Sequence, residues 1–305
     1  MFRTILVPLD GSELAEHVLP LAAGLAEQAR GALRLVRVHD TRPVARYAAE
    51  LTETDLRRTE QAYLDAIAGR LKLARGVAAD TAVLAGPVAA ALGEEARRAQ
   101  ADLIALTTHG RGPLSRAWLG SVTDELLRHG PVPLLIHRPA QEGPTDLGAA
   151  YPCRRILVPL DGSEVGDAAL DPATELARLF GADVSLLRVV EPMPVLAPDG
   201  MGYLPPVLEG PLLDEMTTQA RTSLDQTAER LRSGGLRVDG RVVVHELVAG
   251  AILEAAESAD LIALATHGRG RVARFFLGSV ADKVVRGAPC PVFVVRCHPS
   301  AGGPP

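Results

Sequence analysis

"RTILVPLDGSE", residues 3–13, returns at 154–164 as "RRILVPLDGSE", with one change in eleven positions. Its first half, "TILVPL" (4–9), is a short continuous apolar run, the pattern of a strand buried on both faces. Asp10-Gly11-Ser12 breaks that run, and "ELAEHVLPLAAGLAEQA" (13–29) follows with helical spacing. Ser12 is placed to cap the helix and Glu13 to favour its first turn. A second stretch also recurs: "ADLIALTTHGRG" (101–112) comes back as "ADLIALATHGRG" (259–270), again with a single difference. The offset is 151 residues for the first pair and 158 for the second, so the second copy carries seven extra residues between them. A period near 150 is too long for a solenoid repeat, so each copy is a whole domain.

Outward from these landmarks, the first copy alternates strand and helix signals. "LRLVRV" (33–38), a charged amphipathic helix from about 53 to 74, and "AVLA" (82–85) come first. An Ala/Glu/Arg helix to about 100, "LIALT" (103–107), a helix from about 120 and "PLLIH" (133–137) complete it. Alternation of this kind calls for a parallel sheet covered on both faces, here two tandem, doubly wound, five-stranded α/β domains of Rossmann-like type. The boundaries predicted are 1–139 for the first domain, 140–152 for a Pro/Gly/Ala-rich linker and 153–298 for the second domain. An insertion in the second copy, "EPMPVLAPDGMGYLPPVLEGP" (191–211), reads as a loop that either covers the site or only connects.

The composition is that of an ordinary globular chain: 47% hydrophobic, 23% charged and only 3% aromatic, so Leu, Val, Ala and Ile must build the core. No apolar run reaches the roughly 18 residues of a membrane span, and the N-terminus meets charge too early for a secretory signal. Cys153, Cys290 and Cys297 suit reduced thiols better than a disulfide framework, and the expected location is the cytoplasm. A net charge of −5 without a basic, aromatic-laced stripe speaks against a nucleic-acid partner.

In open α/β sheets, ligands bind at strand carboxyl ends where the strand order reverses. Asp10 and the Thr108-His109-Gly110 turn both lie at strand ends, as do Asp161 and Gly268, so each pair is expected to face one cleft. Gly110 and Gly112 admit close backbone approach, and Gly120-Ser121 opens a helix whose first amides are free donors. That combination suits an anion, most simply a phosphate chain. The competing reading is that these glycines only turn the chain and start a helix. No Gly-x-x-x-x-Gly-Lys-Ser/Thr or Gly-x-Ser-x-Gly motif is present, and His109 and His267 lack a partner at a catalytic spacing.

Taken together, "ILVPLDGS" and Gly110, nine residues, Gly120-Ser121, both repeated in order (Gly268, Gly278-Ser279), resemble the universal stress protein family in its tandem form and ATP-binding branch. The resemblance implies ATP as ligand, with Mg²⁺ or Mn²⁺. It puts Asp10 and Asp161 near the ribose and Pro8, Val38, Pro159 and Val189 around the adenine. Leu106 and Leu264 would offer backbone groups to the base or ribose. Gly110, Gly120, Ser121 and Val122, with Gly268, Gly278, Ser279 and Val280, would hold the phosphates. The chain departs from the family where the motif's first glycine is Thr107 in one copy and Ala265 in the other. The implied role is regulatory, in stress tolerance with little or no turnover. Slow ATP hydrolysis, adenylyl transfer, or a nucleotide-free interaction module are the alternatives. The apolar final strands, 132–137 and 290–296, lack edge-protecting charge. They are expected to pair antiparallel as an intramolecular pseudo-dimer, with homodimerisation left open.

Overall fold

A computed structural model of the chain describes residues 2–39, 52–108, 119–139, 143–192, 195–196, 203–204, 210–267 and 278–297. It divides into two units, one of residues 1–152 with 291–296, the other of residues 153–290 with 297–305.

The first unit is built on β1 (Thr4–Pro8), β2 (Ala32–His39), β3 (Ala79–Ala85), β4 (Leu103–Thr107) and β5 (Leu134–His137). They lie in the order β5-β4-β1-β2-β3, all parallel, so the order reverses between β1 and β4. Residues 291–296, the bulk of the last strand (β12, Val292–Cys297), also belong to this unit. β12 runs antiparallel to β5, with Val292 opposite Ile136 and Val294 opposite Leu134. Phe293 of that strand meets Phe2 edge to face, centroids 5.9 Å apart, and both rings are fully buried. Few aromatics are available, and these two close one end of a core made otherwise of aliphatic side chains such as Ile5, Leu6, Leu25, Leu35 and Leu64.

Helices cover the sheet faces. α1 (Glu13–Glu16) and α2 (Leu19–Ala29) replace the single helix expected over 13–29, because Pro20 at the start of α2 cannot donate the backbone bond a continuous helix requires. α3 (Glu53–Arg75) begins with a reciprocal cap between Thr52 and Asp55 and ends at Gly76, whose φ of +69° is left-handed. α4 (Val88–Arg98) and α5 (Ser121–His129) complete the unit. β3 begins three residues before the expected "AVLA", at Ala79, where pairing to Leu33 of β2 starts.

The second unit repeats the plan with β6 (Arg155–Leu160), α6 (Glu164–Asp167), α7 (Leu170–Phe180) and β7 (Asp183–Val190). The two-residue strands β8 (Val195–Leu196) and β9 (Tyr203–Leu204) pair antiparallel inside the insertion, most of which lies outside the described residues. α8 (Pro211–Ser233), β10 (Val238–Val244), α9 (Val248–Ala256), β11 (Leu261–His267) and α10 (Ser279–Gly287) follow. The parallel order is β10-β7-β6-β11, reversing between β6 and β11.

One carboxylate holds the reversal point in each unit. Asp102 Oδ2, just before β4, accepts from the amides of Arg3 (2.7 Å) and Thr4 (3.1 Å) at the start of β1. Asp260 Oδ2 does the same for Arg154 (2.7 Å) and Arg155 (2.9 Å) at the start of β6. Burial, with Asp260 nearby, pushes the Cys153 and Cys290 thiols up to about 12. Among the described residues, no helix is long and apolar enough to cross a membrane.

Two outcomes are expected. Asp260→Ala leaves two strand amides without their acceptor and should cost about 1–3 kcal/mol in urea unfolding; a change below about 0.5 kcal/mol would mean water replaces the carboxylate without loss. The second concerns His137 on β5, whose pKa burial, helped by the charge of His17, lowers from 6.5 to about 4. The folded state keeps this imidazole neutral while the unfolded chain protonates it below pH 6.5. Stability should therefore fall as pH drops from about 6.5 towards 4, by on the order of 3 kcal/mol. His137→Asn should flatten that part of the profile relative to wild type, and an unchanged difference between pH 7 and pH 4.5 would contradict it.

Candidate nucleotide-binding cleft

In the second unit the carboxyl ends of β6, β7 and β11 and the start of α10 enclose a cavity of about 410 Å³. β6 contributes Pro159 and, just beyond its end, Asp161; β7 contributes Val189; β11 contributes Leu264 and Ala265. Gly278, Ser279 and Val280 close the remaining side. All eight of the second copy's expected residues within the described part of the chain therefore meet in one space, and Gly268 lies outside the described residues. Val248 and Ile252 from α9, with Val284 from α10, form an apolar back wall of a kind that accepts a flat ring.

Asp161 is set by its own turn. Its Oδ1 accepts from the Ser163 amide (2.9 Å) and hydroxyl (2.6 Å), while Ser163 Oγ in turn accepts from Gly166 N (3.0 Å) and so caps α6. Burial works to raise the Asp161 pKa, but the Ser163 hydrogen bonds and the nearby Arg188 charge outweigh it and hold the carboxyl below its usual range. It is an anion at neutral pH with Oδ2 left for a further donor. Between them, Gly162 takes φ +75°, and a Cβ there would fall 2.9 Å from Arg188 Nη1, so only glycine lets the arginine lie against the turn.

Gly278 is different. Its φ is −50°, open to any residue, and a Cβ built on it meets nothing within 4 Å. Neither backbone conformation nor packing demands glycine there; the space it leaves empty opens on the cavity. The first bond of α10 runs from Asp282 N to Gly278 O (2.9 Å), so the amides of Ser279, Val280 and Ala281 have no partner within the helix. No side chain caps them. They are donors at the positive end of a helix dipole, at the edge of the cavity.

The first unit carries the same parts. Pro8 ends β1 and Asp10 follows it; Val38 lies near the end of β2, Leu106 and Thr107 end β4, and Gly120, Ser121 and Val122 begin α5. Asp10 Oδ1 accepts from the Ser12 amide (2.9 Å) and hydroxyl (2.6 Å), as Asp161 does from Ser163. Gly120 has φ −53° and no atom within 4 Å of a Cβ, matching Gly278. Gly110, expected to face Asp10, lies outside the described residues. Thr107, the departure from the family glycine, directs its hydroxyl to Ala15 O (3.3 Å), and so ties β4 to α1. Thr108 Oγ1, the next residue, is buried and has no hydrogen-bond partner among the described residues.

Sequence reasoning passed over three contributors. Thr266, the counterpart of Thr108, lines the second cavity, as do Arg188 and Glu191. Arg188 had a signal: it recurs from Arg37 at the 151-residue offset, next to the valines Val38 and Val189. Among the described residues, no group of three His, Cys, Asp or Glu side chains is placed to hold a metal ion.

The sequence profile of the universal stress protein family matches residues 1–138 and 152–296. The chain belongs to the universal stress protein family. A universal stress protein of Mycolicibacterium smegmatis is 30% identical over 307 residues, 96% of each chain. One from Mycobacterium tuberculosis is 33% identical over 202 residues, 65% of this chain and 62% of the relative, so the match spans less than two thirds of that relative's length. Among solved structures, a universal stress protein from Archaeoglobus fulgidus superposes with a TM-score of 0.67 at 21% identity, covering 97% of this chain and 99% of the other. That likeness establishes the fold, two tandem α/β domains of this family.

The open space at both helix starts has a direct consequence for stability. Serine fits the backbone of Gly120 and Gly278 and adds the side-chain cap that each helix lacks. Gly120→Ser and Gly278→Ser should each raise the stability of the ligand-free chain by a few tenths of a kcal/mol in urea titrations. A loss above about 1 kcal/mol would show that the glycines are needed by the fold itself.

Proposed function

We propose that this universal stress protein binds ATP in the cleft at the strand reversal of each copy, and that the bound state, rather than turnover, carries its role in a stress response. The observation that supports it most is Gly278: a glycine that neither φ nor packing requires, standing before three uncommitted helix amides at the mouth of a 410 Å³ cavity. Phosphates would be held by the amides of Ser279 and Val280, with Gly120, Ser121 and Val122 in the same part in the first copy. Asp161 and Asp10 would each offer the free Oδ2 to a ribose hydroxyl. The adenine would lie near Val189 and Pro159, against the apolar wall of α9, or near Val38 and Pro8 in the first copy. Leu264, Ala265, Leu106 and Thr107 would line the floor.

Mg²⁺ or Mn²⁺ would accompany the nucleotide and offset the charge of its phosphates. The described phosphate side, Gly278 to Ala281, brings no lysine or arginine of its own, which gives the ion that task. The same stretch brings no general base, which supports retention of ATP over hydrolysis or adenylyl transfer.

Calorimetric titration of the full chain with ATP and Mg²⁺ tests the reading. The Gly120→Val, Gly278→Val double variant puts a branched side chain into both open spaces. It should lose at least tenfold in affinity, about 1.4 kcal/mol, while staying folded, with melting lowered only by the poorer helix caps. Undiminished affinity would place the phosphates elsewhere.

A further inference from the structure

The two copies differ at one place beside the cleft, the layer between β2 and α3 in the first unit and between β7 and α8 in the second. In the first unit that layer is filled. Tyr63 of α3 lies with its ring centroid 5.8 Å from the Arg37 guanidinium carbon, and its hydroxyl donates to Glu16 Oε1 at 3.0 Å. Glu60, one turn earlier, holds both Arg37 (3.3 Å) and His39 (2.9 Å). Burial, then the Glu16 charge and hydrogen bond, drive the Tyr63 pKa upward, so the phenol stays protonated and donates.

In the second unit the strand and turn keep the frame. Arg188 stands at the offset position of Arg37, against Gly162 as Arg37 stands against Gly11, and Asp167 of α6 stands at the position of Glu16. The helix does not keep its side chains. Val190 replaces His39 and packs in one cluster with Leu213 and Ala220 of α8; of these two, Ala220 lines the space beside Arg188, in the place of Glu60. Three residues on from Ala220, as Tyr63 is from Glu60, comes Ser223, followed by buried Leu224 as Tyr63 is followed by buried Leu64. The ring is gone, and a cavity of about 430 Å³ opens there, lined by Arg188, Asp167, Gln219, Ala220, Ser223 and Thr227 among others.

We propose that this space is a binding site for a small planar aromatic molecule bearing a hydrogen-bond donor, of the phenol class. The ring takes the place over Arg188 that Tyr63 takes over Arg37, and the donor reaches Asp167 as the tyrosine hydroxyl reaches Glu16. Arg188 brings a cationic face, Leu160 and Val189 apolar edges, and Asp167 an acceptor; in the first copy the corresponding cation and acceptor, Arg37 and Glu16, are engaged by Tyr63. Asp167 is one methylene shorter than Glu16, which leaves room for a ligand not tethered to α8. The inference is independent of the nucleotide reading, although Leu160, Arg188, Val189 and Glu191 line both cavities.

The probe is p-cresol, the tyrosine side chain cut from its backbone, with toluene as the donor-less control, each titrated into the full chain and followed by NMR. Wild type should bind one p-cresol saturably in the millimolar range or tighter, and toluene at least several-fold more weakly. Ser223→Tyr, which restores the first copy's arrangement, should abolish p-cresol binding. Asp167→Asn, a change at an exposed position, should weaken it several-fold and serves if Ser223→Tyr does not fold. Tyr63→Ser should add a second site. The proposal is overturned by non-saturable p-cresol binding in wild type, by binding that persists in folded Ser223→Tyr, or by Asp167→Asn binding as tightly as wild type.

Discussion

Two strand amides bonded to one carboxylate, Asp102 in the first copy and Asp260 in the second, hold together the strands on which everything else is arranged. β1 and β4 are a hundred residues apart in sequence and pair over only a short register, Ile5 with Leu103 and Leu6 with Ile104. Their neighbourhood makes the sheet reverse its order, and the reversal parts the loops above them into a cleft. Because Asp102 and Asp260 act at the start of the strands, the carboxyl ends are free to carry ligand-facing residues. Asp161 and Ala265 reach the same cavity for that reason.

The second demand is on the backbone around that cleft, and it uses glycine for two distinct purposes. Gly11 and Gly162 take left-handed φ values within the turn, and an arginine guanidinium lies where a Cβ would be. Gly120 and Gly278 have ordinary backbone angles and empty space instead. The first kind shapes the turn that presents the aspartate; the second kind leaves room for what the helix amides can hold. Duplication copied both, yet the layer under α3 and α8 diverged. Tyr63, Glu60 and Glu16 fill it in one copy, and Ser223, Ala220 and Asp167 leave it open in the other. The frame was kept in both copies and the filling was not.

Much of this was legible in the sequence because strands buried on both faces read as apolar runs and the strand-end turns interrupt them with Asp-Gly-Ser. The expected second-copy residues Pro159, Asp161, Val189, Leu264, Ala265, Gly278, Ser279 and Val280 share one cavity for that reason. Other features depend on contacts that a linear pattern does not carry. The break between α1 and α2 turns on one missing amide at Pro20, inside a run with good helical spacing. Thr107 reads as an obstruction until its hydroxyl is seen on Ala15 O. The antiparallel pairing of β12 with β5 is expected from their apolar edges, which lack protecting charge, but that it groups residues 291–296 with the first unit is not. The second cavity is invisible in sequence because it is the absence of a side chain, apparent only beside the copy that has it.

The central claim is that the uncommitted amides at the start of α10 and the Asp161 carboxylate serve one ligand. A crystal structure of the full chain grown with ATP and Mg²⁺ tests it most directly. The account predicts phosphate density against the Ser279 and Val280 amides, a ribose hydroxyl on Asp161 Oδ2 and the adenine beside Val189. Nucleotide bound elsewhere, or a cleft that stays empty at saturating ATP, would contradict it.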